Sequence, residues 1–439
     1  WLALALDASG VHTKACEEAQ AAPSSPSGTP AREFAQFHLL LAECALAASD
    51  VDSARTAIEK ASAVSLGPEA RARRGLIEAK LQRETGRAVI AKPHLQRLAE
   101  TAPQPYRALS ELEIIADSVS AGDITAKDAA GAIESTILKW SGDRAERSGL
   151  ALLGEFLISD EQYREGLAAW RRLIDTYPVA DAAKTARLSI AETLTTIAKD
   201  KGIAPAEAAA IFLANIEYAP PGAAGDEIIR QLADGLLALD LPAPAAELLD
   251  HQTFKRLRGA ARSESAARLA EAFLSAGAPS AALRAIRSTR LAKLPDILNS
   301  RRRLLEARAL QQLGEVDAAL ELLSSASGAA ERRLRGDIYW NEKSWLAAGN
   351  EYGLALKKVS ADPTLLDTDA FDDMVLRMIA ANAMAGETIP IPESVLNILT
   401  AEHRDAIIDY AEALSRLSDD ADFAALDALY QDVFQKLSG

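Results

Sequence analysis

The chain has 439 residues and a formal net charge of −15 at pH 7. Such an acidic balance excludes nonspecific binding to nucleic acid or to an anionic membrane as its main task. Hydrophobic residues make up 49% of the chain but aromatic residues only 5%, so alanine and leucine must build the core. Polar and apolar residues do not alternate with a period of two, and this favours an all-α fold.

The chain begins inside a helical pattern. Residues 1–9 predict the end of a first helix, and residues 12–22 predict its complete partner. Because the first residue is Trp1 and lies within a helix, we expect the sequence to start inside a longer polypeptide. Nowhere does an apolar run reach the roughly 18 residues that a bilayer-spanning helix needs, so we predict no membrane span.

The chain contains two cysteines, Cys16 and Cys44, on either side of a proline- and serine-rich loop at residues 21–30. If their helices are antiparallel neighbours, the two sulfurs can form a disulfide, which would favour an oxidising compartment. Alternatively, both are ordinary small buried residues. We expect neither cysteine to have a histidine partner nearby in the sequence, so the pair predicts no metal site.

A spacing of small residues recurs along the chain. A small residue is followed about twelve positions later by another, and then by a bulky residue about four positions further. The clearest copy, residues 150–178, places Gly154, Gly166 and Trp170 in this order and ends at Pro178. Small side chains are needed where helix axes approach closely, so the spacing predicts an α-solenoid of antiparallel helix pairs. The other triplets are Ala42, Ala54 and Ile58; Ala79, Ala91 and Leu95; Ala233, Ala245 and Leu249; Ala270, Ala282 and Ile286; Ala307, Ala319 and Leu323; and Gly336, Ala348 and Tyr352.

These triplets resemble the tetratricopeptide repeat (TPR) superfamily, whose members are mostly adaptors and assembly scaffolds. The resemblance implies a TPR-like superhelix with a protein-binding surface. A narrower resemblance is to the C-terminal half of large alphaproteobacterial TPR proteins, and it implies a periplasmic or envelope setting. The stretches that carry it are residues 140–143, 225–230, 248–252, 303–310 and 334–340.

Four parts are predicted along the chain. They are N-terminal helix pairs (1–103), an atypical helical connector (104–149), the regular array (150–360), and degenerate C-terminal helices with a cap (361–439). Joints rich in proline and glycine are expected at 219–225 and 241–244. In the last helix the apolar side chains share one stripe, which predicts a capping element or, alternatively, a partner-binding helix. That stripe contains Phe423, Leu426, Leu429, Tyr430, Val433, Phe434 and Leu437.

Charge is unevenly distributed near the C-terminal end. Residues 255–343 contain 17 Lys/Arg and 10 Asp/Glu, whereas residues 344–439 contain 6 and 17. One interpretation is a basic concave strip that binds an acidic peptide or a carboxylate terminus. A second is that the arginines are solvated and pair with glutamates on adjacent turns. A third is that the acidic segment folds back on the basic one or meets it in another copy. The candidate binding residues are Arg284, Arg287, Arg301, Arg302, Arg303, Arg332, Arg333, Arg335 and Trp340.

Aromatic residues cluster close to these arginines. Tyr339, Trp345 and Tyr352 occupy repeat positions that pack between helices, so we predict that they belong to the core. Trp340 lies off that register and is the better surface candidate, since aromatic residues beside arginine are common at interface hot spots.

Patterns that carry catalysis or bind cofactors are not found in the sequence. No His-Glu-x-x-His motif and no glycine-rich phosphate loop occur, and the histidines are scattered singly. An acidic cluster lacks the central glycine and terminal glutamate of a calcium loop and predicts a solvated acidic turn. Its residues are Asp362, Asp367, Asp369, Asp372 and Asp373.

We therefore predict a non-enzymatic scaffold or adaptor, without cofactor or metal, that binds proteins. It would organise a bacterial multiprotein assembly in the envelope or in a motility or secretion apparatus. An alternative is a helical accessory or activator region of a cell-wall enzyme whose catalytic domain lies elsewhere. A periplasmic or envelope-associated location is favoured over a cytoplasmic one.

Overall fold

The computed structural model describes residues 1–22, 29–362, 368–387, 391–415, 428–433 and 435. Within these residues the chain forms helices joined by turns, and no β-strand, which confirms the all-α prediction. The chain divides into two compact units, Trp1–Ile228 and Ile229–Gly439. This boundary lies a few residues C-terminal to the predicted joint at 219–225. No described helix has both the length and the hydropathy that crossing a bilayer requires.

Unit 1 consists of successive helix pairs. Its odd-numbered helices contact each other as well as their partners, from α1 through to α11, so they form one layer and the even-numbered helices another. The helices are α1 (Leu2–Ala8), α2 (His12–Ala21), α3 (Ala31–Ala47), α4 (Val51–Ser62), α5 (Pro68–Glu84), α6 (Ala88–Thr101), α7 (Tyr106–Ser120), α8 (Ala126–Lys139), α9 (Arg144–Ser159), α10 (Tyr163–Thr176), α11 (Asp181–Lys199), α12 (Pro205–Ala214) and the beginning of α13 (Gly222–Ala238).

Unit 2 repeats this arrangement. Within it α15 contacts α17, and α17 contacts α19, so the odd-numbered helices again form a layer. Its helices are the remainder of α13, then α14 (Pro242–His251), a π-helical turn (Gln252–Arg256), α15 (Gly259–Ser275), α16 (Pro279–Ser288), α17 (Asp296–Gln312), α18 (Val316–Leu323), α19 (Ala329–Asn341), α20 (Trp345–Ala361), α21 (Thr368–Met384), α22 (Glu393–Leu396) and α23 (Ala401–Ser415). The α-solenoid prediction is confirmed.

The predicted triplets lie where helices pack most closely. Every triplet residue is buried, and most of the alanines have no exposed surface. A Cβ added at Gly154 would lie 2.2 Å from Nε1 of Trp170, and one at Gly336 would lie 2.6 Å from Cε1 of Tyr352. Each glycine therefore lets the aromatic ring of the next helix lie against its backbone.

Most of the turns inside the pairs contain a left-handed residue. Gly277 has φ +69° between α15 and α16, and Gly314 has φ +79° between α17 and α18. Glycine adopts this conformation at no steric cost, which ends one helix and starts the next. At the matching turns after α9 and α19, Glu161 (φ 60°) and Lys343 (φ 57°) adopt it instead.

The described part of the predicted cap packs on the last core of unit 2. Tyr430 and Val433 are buried there, and Leu429 is partly buried against the same cluster. This core also contains side chains of α20, α21 and α23. Phe423, Leu426, Phe434 and Leu437 lie outside the described residues.

The acidic cluster is not the solvated turn that we predicted, because Asp372 and Asp373 are buried in α21. Asp372 lies 2.7 Å from Nδ1 of His403, and Asp373 pairs with Arg333 at 3.0 Å and with Arg377 at 2.9 Å. The two arginines and the contact with His403 replace the water that the carboxylates lose, which makes burial possible. Asp362 is exposed, whereas Asp367 and the side chain of Asp369 lie outside the described part.

Candidate protein-binding surfaces

Two arginines of the predicted basic strip are buried. Arg302 is 5% exposed and donates to the carbonyl oxygens of Ser263 and Ile286, at 2.5 and 2.6 Å. Arg335 is 6% exposed and donates to the carbonyl oxygens of Leu323 and Ala326. Ile286 and Leu323 lie at the C-terminal ends of α16 and α18, where carbonyls lack intrahelical partners. Both guanidinium groups therefore hold helix ends together, and neither lies free on the surface.

Four further arginines of the strip pair with carboxylates inside unit 2. These pairs are Arg287 with Glu306 at 2.8 Å, Arg301 with Glu271 at 2.6 Å, Arg332 with Glu351 at 3.2 Å, and Arg333 with Asp373 at 3.0 Å. Two of the interpretations left open by the sequence thus occur together. Glutamates of neighbouring helices neutralise part of the strip, and the Arg333–Asp373 pair joins the basic segment to the acidic one.

Two arginines of the strip remain unpaired. Arg284 is exposed on α16 and Arg303 is half-buried on α17, and neither has a hydrogen-bond or ion-pair partner among the residues that the structure describes. They form the part of the strip that is free to meet an acidic ligand. Binding of an acidic peptide by the predicted set stays a prediction.

Trp340, the predicted surface aromatic, is partly buried against the last core of unit 2. Its ring meets that of Trp345 edge to face, with centroids 5.3 Å apart, and the guanidinium of Arg377 lies 5.6 Å from its centroid. Tyr352 is fully buried, whereas Tyr339 and Trp345 are only partly buried. The predicted division between core and surface aromatics is therefore less sharp than the register suggested.

A cleft of about 700 Å³ lies in unit 1 between α9 and α11, with α10 behind it. Small and hydroxyl-bearing side chains line both walls, so the two helices leave open space between them. Its lining residues are Ala151, Glu155, Ile158 and Ser159 from α9, Tyr163 and Trp170 from α10, and Ala182, Thr185, Ala186, Ser189, Glu192, Thr193 and Thr196 from α11.

The cleft combines a fixed floor with unpaired acidic walls. Trp170 lies over Gly154 and donates from Nε1 to the carbonyl oxygen of Ala151 at 3.1 Å, which fixes the ring. Glu155 and Glu192 are exposed and have no ion-pair partner among the described residues. None of the lining residues is Lys, Arg or His.

A buried ion cluster joins four helices of unit 1. Arg73 of α5 is 5% exposed and donates to Asp7 of α1 at 2.7 Å and to Glu43 of α3 at 2.5 Å. Arg144 of α9 reaches the same two carboxylates, at 3.1 and 3.0 Å. The cluster ties the first helix pair to helices more than a hundred residues further along the chain.

The electrostatics of this cluster keep its carboxylates ionised. Burial alone would raise the pKa of Glu43, but the charges of Arg73 and Arg144 outweigh it and hold that pKa far below its ordinary value. Burial alone would likewise raise the pKa of Asp7. The hydrogen bond with His12 and the charges of the two arginines outweigh burial, so this pKa lies below its ordinary value. Neither carboxylate can accept a proton near neutral pH.

The cysteines lie next to this cluster. Cys16 and Cys44 form a disulfide with their Cα atoms 5.5 Å apart, so of the two alternatives the structure has the disulfide. His12 lies 3.0 Å from Asp7 through Nδ1 and 3.6 Å from the sulfur of Cys16 through Nε2. The sequence reasoning missed this histidine, although it lies one helical turn before Cys16. Because the sulfurs are bonded to each other and Asp7 is bonded to arginines, these residues are not arranged as metal ligands.

Comparison with protein-family models finds no match, and comparison with curated proteins finds none either. Among solved structures, the chain is similar to the TPR domain of P58(IPK), with 12% sequence identity. The alignment covers 79% of this chain and 97% of that domain, with a TM-score of 0.22. A TM-score this low carries no argument, so the fold assignment depends on the helix pairs themselves. They make the chain an all-helical repeat protein, consistent with the TPR resemblance.

Proposed function

We propose that the chain is a protein–protein interaction scaffold and that the α9–α11 cleft holds a cationic segment of a partner protein. The observation that carries this proposal is the pair of exposed carboxylates, Glu155 and Glu192, which have no cation within the cleft. Glu43 and Glu113 of unit 1 are paired with basic side chains, and the exposed glutamates Glu165 and Glu207 do not line the cleft. Unpaired charge in a concave surface is free to attract an oppositely charged ligand.

The remaining cleft residues suit a polypeptide. The hydroxyl group of Ser189 can donate to or accept from a peptide backbone, whereas those of Thr185 and Thr196 donate to carbonyl oxygens of α11 and can accept from it. Ile158 and Trp170 offer apolar area in the same cleft, and burial of such area supplies most of the free energy in contacts of this kind. The expected occupant is thus a segment with Lys or Arg residues for the two carboxylates and an apolar side chain between or beside them.

A second candidate surface is the free part of the basic strip in unit 2. Arg284 and Arg303 are the two strip arginines whose guanidinium groups have no partner within the described part of the chain. An acidic peptide or a carboxylate terminus would fit them by charge. We rank this surface below the cleft because Arg302 and Arg335, which would have widened it, are buried.

The setting of this scaffold remains part of the proposal. The narrower resemblance supports a bacterial assembly in the envelope or in a motility or secretion apparatus. The Cys16–Cys44 disulfide supports an oxidising compartment, because disulfides persist outside the cytosol far more often than within it. An accessory or activator region of a cell-wall enzyme remains the alternative.

The test is affinity capture of the tagged chain from its own organism, with a charge-reversed cleft. Glu155→Lys with Glu192→Lys should abolish recovery of the main partner while the thermal unfolding curve is unchanged, because both side chains are exposed and unpaired. Glu165→Lys with Glu207→Lys is the matched control, since these exposed residues lie on even-numbered helices and change the net charge equally. Equal recovery by the cleft variant and the wild type would contradict the cleft.

A further inference from the structure

A second pocket of unit 1, of about 320 Å³, lies against the buried ion cluster. Side chains of α1, α3, α5 and α9 and the beginning of α7 surround it. It is separate from the α9–α11 cleft, and the two share no lining residue. Leu4, Ala8 and Pro105 provide its apolar surface, whereas the remaining lining residues are charged or carry polar groups.

Most of the charges at this pocket are already neutralised. Arg73 and Arg144 are paired with Asp7 and Glu43 in the ion cluster. Asp143 accepts from Nε1 of Trp140 and from the backbone N–H of Ala145, both at 2.7 Å. The cluster therefore leaves no unpaired charge for a ligand, whereas Asp143 accepts only from neutral N–H groups and keeps its negative charge.

Arg147 is the exception. Its guanidinium lies over the ring of Tyr177, 5.3 Å from the centroid, and it has no carboxylate or hydrogen-bond partner among the residues that the structure describes. The α1–α2 turn packs against it: a Cβ on Gly10, which has φ +85°, would lie 2.9 Å from Nε of Arg147. Burial and the nearby charge of Arg144 lower the pKa of the Arg147 guanidinium, as expected for a half-buried cation without a counter-ion.

Tyr106, at the first position of α7, provides a hydrogen-bond donor on the same pocket. Its hydroxyl has no partner within the described residues. Burial raises the pKa of this phenol, so the O–H stays protonated at neutral pH and can donate. Arg147 and Tyr106, neither of which has a hydrogen-bond partner for its side chain among the described residues, thus both line one small pocket that has an apolar wall.

We propose that this pocket binds a carboxylate group, held by Arg147 and Tyr106, with its apolar part against Leu4, Ala8 and Pro105. A guanidinium presents N–H groups in a fork that matches the two oxygens of a carboxylate. A monoanion fits better than a phosphate dianion, because the single unpaired cation lies near the carboxylates of Asp7 and Asp143. The carboxylate belongs either to a small organic acid or to the C-terminus of a polypeptide.

The test measures binding of N-acetyl-leucine, which presents one carboxylate and one apolar side chain, to the full chain by titration calorimetry or NMR. We expect saturable binding that weakens about tenfold to hundredfold in Arg147→Gln, the range typical of a hydrogen bond to a charged group. Tyr106→Phe removes only the hydroxyl and should weaken binding less. Arg164→Gln, an exposed arginine of α10 outside this pocket, is the matched control and should bind like the wild type.

Two further probes distinguish the sources of the carboxylate. N-acetyl-leucinamide lacks the charge and should not bind. Butyrate that binds as tightly as N-acetyl-leucine would indicate a free organic acid, whereas much weaker binding of butyrate would indicate a polypeptide C-terminus. The proposal is overturned if no carboxylate probe binds the wild type. It is also overturned if Arg147→Gln, shown to be folded by its thermal unfolding curve, binds N-acetyl-leucine with unchanged affinity.

Discussion

The two units use their charged residues differently. In unit 2 several pairs that join odd-numbered helices are exposed or half-buried, such as Arg268–Asp234 and Arg301–Glu271, although Asp373 of α21 is buried with Arg333 and Arg377. Unit 1 concentrates several charges in one buried cluster around Arg73 and leaves the α9–α11 cleft with two unpaired carboxylates. A local excess of one charge in the sequence therefore includes arginines that the fold buries or pairs, such as Arg302 and Arg333. Charge that the fold leaves unpaired is the better guide.

The largest effect is expected from removing the centre of the unit 1 cluster. Arg73→Gln leaves two buried carboxylates with only Arg144, so we expect a loss of about 3–5 kcal/mol in the free energy of unfolding, measured with urea at pH 7. Arg268→Gln removes an exposed pair of unit 2 and should cost less than about 1 kcal/mol. Similar losses in both variants would contradict the distinction between the two units.

A second prediction concerns the floor of the cleft. Gly154→Leu places a side chain where the ring of Trp170 lies, so it should separate α9 from α10 and cost about 3 kcal/mol, as overpacking does. Gly131→Leu is the control, because nothing lies within 4 Å of a Cβ at that exposed helical glycine. It should be neutral or slightly stabilising. If both variants unfold at the same temperature as the wild type, Gly154 is not a packing position.

A third prediction separates two consecutive arginines of the basic strip. Arg302→Met removes the buried donor to the carbonyl oxygens of Ser263 and Ile286 and to Oγ1 of Thr289, so it should cost about 2 kcal/mol. Arg303→Met removes an unpaired side chain and should change stability by less than about 0.5 kcal/mol. Urea unfolding of both variants checks this. For the same reason, reversing Arg301, Arg302 and Arg303 together would test folding rather than binding.

The smallest effect is a dependence on pH. In the wild type the pKa values of Asp7 and Glu43 are depressed by folding, so their contribution is present at neutral pH and is lost as the pH falls through the folded-state values. Arg73→Gln raises both pKa values. Its destabilisation should therefore shrink by about 1 kcal/mol between pH 7 and about pH 4. A loss of stability that is equal at the two pH values would show that these carboxylates are not coupled to Arg73.

The sequence was sufficient to predict how the two helices of a pair pack, because this packing joins residues that are close together in the chain. Gly154, Gly166 and Trp170 lie within two helical segments, so their spacing along the chain reports their spacing in space. The ion cluster could not be predicted, since Asp7, Glu43 and Arg73 come from separate pairs and no regular spacing relates them.

The burial of individual arginines could not be predicted from the sequence either. Arg302 and Arg303 differ by one position, yet successive residues of a helix point about 100° apart, so one faces the core and the other the solvent. The cleft gave no signal in the sequence, because the serines and threonines of α11 match no motif. The cleft exists because of the distance between α9 and α11, and this distance cannot be predicted from the sequence.

The most direct test of the central claim is photo-crosslinking in the native organism from two positions. A crosslinking amino acid at Ser189, inside the cleft, should join a partner segment that is rich in Lys or Arg, and the product should disappear in Glu155→Lys with Glu192→Lys. The same amino acid at position 303 should give no product that depends on those glutamates. Crosslinks formed only from position 303, to an acidic segment, would contradict the account and move the binding surface to unit 2.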